Sequence, residues 1–187
     1  MKQKRSKKAR SGAGHVEDVL VSWERARPDL DLREFLQGIA LMRIGRILDL
    51  SFDRMCQRDH GISGADMRVL FALRRAGVPF ELRPTDLFKA LLVASGTITK
   101  QIDRLIEKSY VERKPDANHG GGFLIKLTRQ GRDVADYATN FLATKSLLLK
   151  GSAGISQELK EAGEQYVYAL LKELERQTDF GLNLPSR

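Results

Sequence analysis

The sequence predicts a mainly helical protein with one small β-hairpin. Three observations carry that expectation. Apolar residues recur at the helical spacing of about 3.6 over most of the chain. Between Val111 and Leu127 the spacing drops to two, as a half-buried strand requires. Residues suited to caps and turns sit where these patterns start and stop. Parallel alternation of strands and helices, the mark of a doubly wound sheet, is absent.

The elements follow in order. GHVEDVLVSWERARPDLD reads as a short helix with Val16, Val19, Leu20 and Trp23 on one face, stopped by Pro28. Leu32 to Asp59 reads as a long helix with an apolar stripe at Phe35, Ile39, Met42 and Leu48, continued near Phe52 and Met55. His60-Gly61 ends it, with glycine at the C′ position. Ser63 and Asp66 form a variant capping box, and Ile62 and Met67 a hydrophobic staple. The helix they open carries Val69, Leu70 and Leu73 and closes at Gly77.

Pro84-Thr85 opens a short helix through Leu87, Leu91 and Leu92, and Ser95 caps a fourth running to about Lys108. Phe123, Ile125 and Leu127 then alternate with Leu124, Lys126 and Thr128, and Val111 to Lys114 can pair with them across Gly120-Gly121-Gly122. Thr128 caps a helix to about Leu149, Gly151 to Gly154 is a break, and Ser156 starts a last helix through Leu174. A helix–turn–helix followed at once by a hairpin is a winged helix.

Composition narrows the function classes. No apolar run approaches the roughly 18 residues of a membrane span, and no signal-type stretch follows the basic N-terminus. A cytoplasmic, nucleoid-associated protein is expected. The lone Cys56 allows no internal disulfide and reads as a buried small hydrophobe rather than a redox sensor. His15, His60 and His119 lie too far apart in sequence to suggest a metal site. No cofactor is expected.

The net charge of +8 is unevenly placed. Six Lys or Arg fall in MKQKRSKKAR, an arm expected to be disordered. From Gly96 to Arg132, eight basic residues face four acidic ones, a basic patch in otherwise near-neutral protein. On a helix, SGTITKQIDRLIEK places Ile98, Ile102, Leu105 and Ile106 on one face. Thr97, Lys100, Arg104 and Lys108 fall opposite, with Gln101 at the border. One face against a core and donors on the other is what a recognition helix in the major groove needs. Candidate DNA contacts are therefore Ser95, Thr97, Lys100, Gln101, Arg104 and Lys108, joined by Lys114, Asn118 and His119 of the hairpin. Asp103 would repel phosphate and is expected to pair with an arginine such as Arg113.

HGGG invites a different reading, since such a run can supply an oxyanion hole. That chemistry needs a nucleophile elbow of the form G-x-S-x-G, and the chain has none. The chain is expected not to be an enzyme. Two rival readings stand beside a sequence-specific regulator: an architectural protein that binds any duplex and, remotely, a hydrolase.

Leu82-Arg-Pro-Thr-Asp-Leu87, Ser95-Gly-Thr-Ile-Thr-Lys-Gln-Ile-Asp-Arg-Leu105, Val111-Glu-Arg-Lys-Pro-Asp116 and Leu127-Thr-Arg-Gln-Gly-Arg132 together resemble the MarR family of bacterial winged-helix regulators. Trp23, Arg25-Ala-Arg-Pro-Asp-Leu-Asp31 and Leu73-Arg-Arg-Ala-Gly-Val-Pro79 are similar to its urate-responsive, PecS-like branch. The resemblance implies a homodimer built from the terminal helices, a palindromic operator in double-stranded DNA, repression, and release by a small aromatic or anionic effector. It places Trp23, Arg68 and Arg113 at the effector site. The branch carries an acidic residue where this chain has Arg68 and a basic one where it has Gln101. The family's wing-tip Asp-x-Arg is replaced by His119 and Gly121. The implied division is a basic arm over 1–13, dimerisation and ligand helices over 14–60, a winged helix over 61–128 and dimerisation helices over 129–187.

A wing arginine is drawn into the narrow minor groove of A·T-rich DNA. With Gly121 at that position, the chain should show little demand for A·T flanks. Gly121→Arg should tighten binding to operators with A-tract flanks, barely change G·C-rich ones, and steepen the salt slope by about one counterion. Equal gains on both flank types would mean that the hairpin does not read DNA.

Overall fold

The computed structural model describes residues 12–91, 95–116 and 122–179. It divides into two compact units, Met1–Gly131 and Arg132–Arg187. The first holds α1 (Gly12–Ala26), α2 (Arg33–His60), α3 (Gly64–Arg75), β1 (Glu81–Leu82), α4 (Pro84–Leu91), α5 (Ser95–Glu107), β2 (Val111–Pro115), β3 (Phe123–Leu127) and the start of α6 (Arg129–Lys145). The second holds the rest of α6 with α7 (Leu147–Ser152) and α8 (Gln157–Asp179). It is a winged helix–turn–helix extended by helices in sequence on both sides.

Local chemistry explains the boundaries. Gly61 ends α2 in the left-handed region at φ 63°, where a side chain would be strained. Asp66 N–H donates to Ser63 Oγ at 3.1 Å and Ser63 N–H to Asp66 Oδ2 at 3.3 Å, completing the capping box of α3. The core of this unit is Met67, Val69, Leu70 and Leu73 of α3, Leu87 of α4, Ile98, Ile102 and Leu105 of α5, Val111 of β2, and Ile125 and Leu127 of β3. Each large aliphatic side chain in it contributes about 1.5–3 kcal/mol relative to exposure. β3 lies between β1 and β2, antiparallel to both, with Val111 opposite Leu127 and Glu81 opposite Lys126.

Four features depart from the sequence reading. α1 begins at Gly12, inside the segment expected to be a disordered arm over 1–13. β1 is a third strand of two residues, too short to carry any period. The helix expected from Thr128 to Leu149 breaks at Ser146, whose Oγ accepts Leu149 N–H at 3.3 Å and so caps a separate α7. The α2 stripe is not core within the chain: Met42 is 69% exposed, and Phe35 is exposed as well. No helix among the described residues is long and apolar enough to cross a membrane.

The end of the hairpin and the first turn of α6, up to Gly131, meet in one crowded corner. Thr128 Oγ1 accepts Gly131 N–H at 3.0 Å, and Thr128 N–H donates to Tyr110 O at 3.1 Å. A Cβ on Gly131 would stand 2.0 Å from Tyr110 O. Backbone cannot yield as a flexible side chain would. Gly131→Ala should therefore cost roughly 3 kcal/mol in urea unfolding, the upper range for overpacking. A loss under roughly 0.5 kcal/mol, the scale of an ordinary surface change, would contradict this packing.

Candidate nucleic-acid interface

α5 presents Thr97, Thr99, Lys100, Asp103, Arg104 and Glu107 to solvent and buries Ile98, Ile102 and Leu105. Thr97 and Lys100 fall where the sequence placed them, on the exposed arc. Lys100 has no ion-pair partner among the described residues. It is the freely offered cation of this helix.

Gln101 corrects the sequence reading. It is 3% exposed and does not sit on the donor border. The geometry gives the reason: Gln101 lies three residues after Ile98 and four before Leu105, on the same face as both. Its Oε1 is buried without a hydrogen bond.

Arg104 also lies on the exposed arc, half open to solvent, and it is already engaged within the chain. Its guanidinium is not a free donor, because Nε reaches Asp66 Oδ2 at 3.2 Å and Nη2 reaches Asp66 Oδ1 at 2.5 Å. That carboxylate raises the Arg104 pKa above its usual value. Lys108 is exposed, with Nζ beside Gly61 at the end of α2. Both cations serve the α2–α3 junction, which no local sequence pattern could reveal.

The hairpin is laced by ion pairs. Arg113 Nη2 donates to Asp103 Oδ1 at 2.7 Å, the partnership expected for Asp103. Lys114 Nζ lies 3.8 Å from Glu81, and Lys126 Nζ lies 3.8 Å from Glu112. Arg83, just before α4, donates from Nε to the buried Asp116 at 2.8 Å. The sequence reading missed this tie between the turn before α4 and the base of the wing. Asp116 N–H also donates to Gly122 O at 3.0 Å, joining the end of β2 to the residue before β3. Ser95 opens α5; Asn118, His119, Gly120 and Gly121 lie outside the described residues.

The three residues assigned to an effector site are not brought together in one chain. Trp23 meets the edge of Phe35 at 5.3 Å between centroids. Arg68 pairs with Asp49 and lies over Phe52, about 25 Å beyond Phe35 along α2 at roughly 1.5 Å per residue. Arg113 pairs with Asp103 and lies over Phe123. Each has a local partner of its own.

The MarR family model matches residues 60–120, from the end of α2 into the wing. That stretch is similar to the MarR family. Over 116 residues it is 29% identical to the HTH-type transcriptional regulator PecS of Dickeya dadantii, covering 62% of this chain and 69% of PecS. The multiple antibiotic resistance protein MarR of Escherichia coli is 37% identical over 75 residues, 40% of this chain and 50% of that protein. Apo wild-type MarR from E. coli superposes with a TM-score of 0.62 at 25% identity, covering 72% of this chain and 95% of that one. A mutant MarR from E. coli solved with operator DNA gives 0.58 at 27% identity, over 76% of this chain and 99% of that one. The similarity therefore spans the winged helix and extends into its flanking helices.

Near the end of α2, the Cys56 side chain is fully buried, and burial pushes its thiol pKa up to about 12. At pH 8 it stays protonated and out of reach, as the sequence reading of a small hydrophobe expects. A disulfide reagent should leave the native protein unlabelled and titrate the one thiol once guanidinium unfolds the chain. Rapid native labelling would contradict that burial.

Proposed function

We propose that this chain is a sequence-specific regulator of transcription that binds a palindromic operator in double-stranded DNA as a homodimer. The observation that carries the reading is the exposed arc of α5, where Thr97 and unpaired Lys100 stand on a helix whose opposite face is core. Similarity to a MarR chain solved with operator DNA supports assigning that arc to the major groove. One recognition helix reads only a few base pairs, so useful specificity asks for two.

Exposed apolar surface supports the dimer. α2 leaves Met42, Ile44 and Ile47 in solvent, and α8 leaves Leu159, Val167, Leu171 and Leu174 there. Two copies burying such faces would set recognition helices about one DNA turn, ~34 Å, apart. Repression, with release by a small aromatic or anionic effector, follows the resemblance to the PecS-like branch. Since Trp23, Arg68 and Arg113 stand apart in one chain, such a pocket would be completed by the second copy.

Selection of bound duplexes from a random library tests the reading. It should yield one palindrome, bound roughly 10³-fold or more tighter than non-specific duplex of equal length. Uniform affinity for all duplexes would point instead to an architectural protein. On the selected operator, Lys100→Ala should cost roughly 1–3 kcal/mol if the lysine reaches a base edge. Unchanged affinity would take this arc of α5 out of the groove.

A further inference from the structure

Asp66 does two jobs at once. Its carboxylate caps the first turn of α3 by accepting Ser63 N–H, and it accepts both Nε and Nη2 of Arg104 from α5. The Asp66 side chain is 4% exposed, while half of the Arg104 side chain is open to solvent. That asymmetry decides what Arg104 can do. An ion pair between two exposed groups is readily exchanged for water or phosphate. A buried carboxylate is different, because removing its cation leaves a charge without adequate donors. Swinging Arg104 into a groove would leave Asp66 with the Ser63 amide alone among these donors.

The surroundings tie down the same corner. Gly64 N–H donates to Asp53 Oδ1 of α2 at 2.7 Å. Tyr110 OH, just beyond α5, donates to His60 O at 3.4 Å, and Lys108 Nζ lies beside Gly61. The C-terminal half of α5 is thus tied to the α2–α3 junction, while Thr97 and Lys100, nearer its start, are exposed.

We propose that Arg104 is a positioning residue: through Asp66 it moors α5 to the start of α3, setting how Thr97 and Lys100 meet the groove, and it reads no base. Asp66, which meets no DNA, is then a determinant of operator affinity. This inference rests on the regulator reading above.

The test compares the full-length protein with Asp66→Asn, Arg104→Gln, Arg104→Lys and the Asp66→Asn/Arg104→Gln double variant. Each is titrated on the duplex selected by the unmodified protein and on non-specific duplex, across a salt series and well below its unfolding midpoint. Mooring predicts that Asp66→Asn and Arg104→Gln each lose about tenfold on the operator, the scale of coupling between contacting residues. It predicts that the double variant is no worse than the weaker single one. Affinity for non-specific duplex and every salt slope should hold, and Arg104→Lys, which can still reach Asp66, should recover part of the loss.

Direct reading by Arg104 predicts the opposite pattern. Asp66→Asn would free the guanidinium and keep or raise affinity, the losses would add, and loss of a phosphate contact would lower the slope by about one. Any of these overturns the mooring. Should Asp66→Asn fail to fold, the Arg104 Hε resonance of the unmodified protein serves instead. It should keep its shift and slow exchange when operator is added, and loss of both overturns the proposal. If the unmodified protein shows no preference for its selected duplex, the regulator reading falls and takes this one with it. If that preference stands and the losses add, only the mooring falls.

Discussion

A carboxylate withdrawn from water has to be supplied with donors, and Asp66 draws its donors from two helices. Ser63 N–H comes from the turn that starts α3, and the Arg104 guanidinium comes from α5, 38 residues further along the chain. Hydrophobic burial brings α3, α4, α5 and the sheet together, but apolar contact is non-directional and leaves a helix free to slide or rotate. The bidentate ion pair restricts that freedom by requiring one register between α3 and α5. The core makes the domain stable; the buried pair fixes how α5 sits against the start of α3.

A second buried acid repeats the arrangement at the wing. Asp116 takes Arg83 from the turn before α4 and donates its own N–H to Gly122 O across the hairpin. Each acid joins segments distant in sequence, and each is paired with an arginine that keeps contact with solvent. The consequence for charge is considerable. Arg104, Arg113, Lys114 and Lys126, all counted in the basic segment, have acidic partners within the domain. What faces outward from α5 is a small set of polar and charged groups around Lys100, not a uniform basic sheet.

Features governed by neighbours along the chain were legible in the sequence. The Ser63–Asp66 box, Gly61 at the end of α2, Ser156 Oγ accepting Leu159 N–H at the start of α8, and the change of period into β2 and β3 all depend on residues a few positions apart. The Asp103–Arg113 pair was legible too, because a helix and the strand after it must bring such near neighbours together. Features set by distant partners were not. Arg104 looks like any other donor on an amphipathic helix until α3 supplies Asp66. Gln101 is polar, and only its spacing from Ile98 and Leu105 marks it for the core. β1 is two residues long and becomes a strand because β3 offers a free edge. The α2 stripe has the composition of a core, yet among the described residues Met42 stays 69% exposed and Phe35 is only partly covered, by Trp23.

The most direct measurement is a crystal structure of the unmodified protein on its selected operator. Arg104 Nε and Nη2 should remain within hydrogen-bond distance of Asp66, with Lys100 and Thr97 at base edges or flanking phosphates of the major groove. A guanidinium that has left Asp66 for a guanine edge would contradict the account.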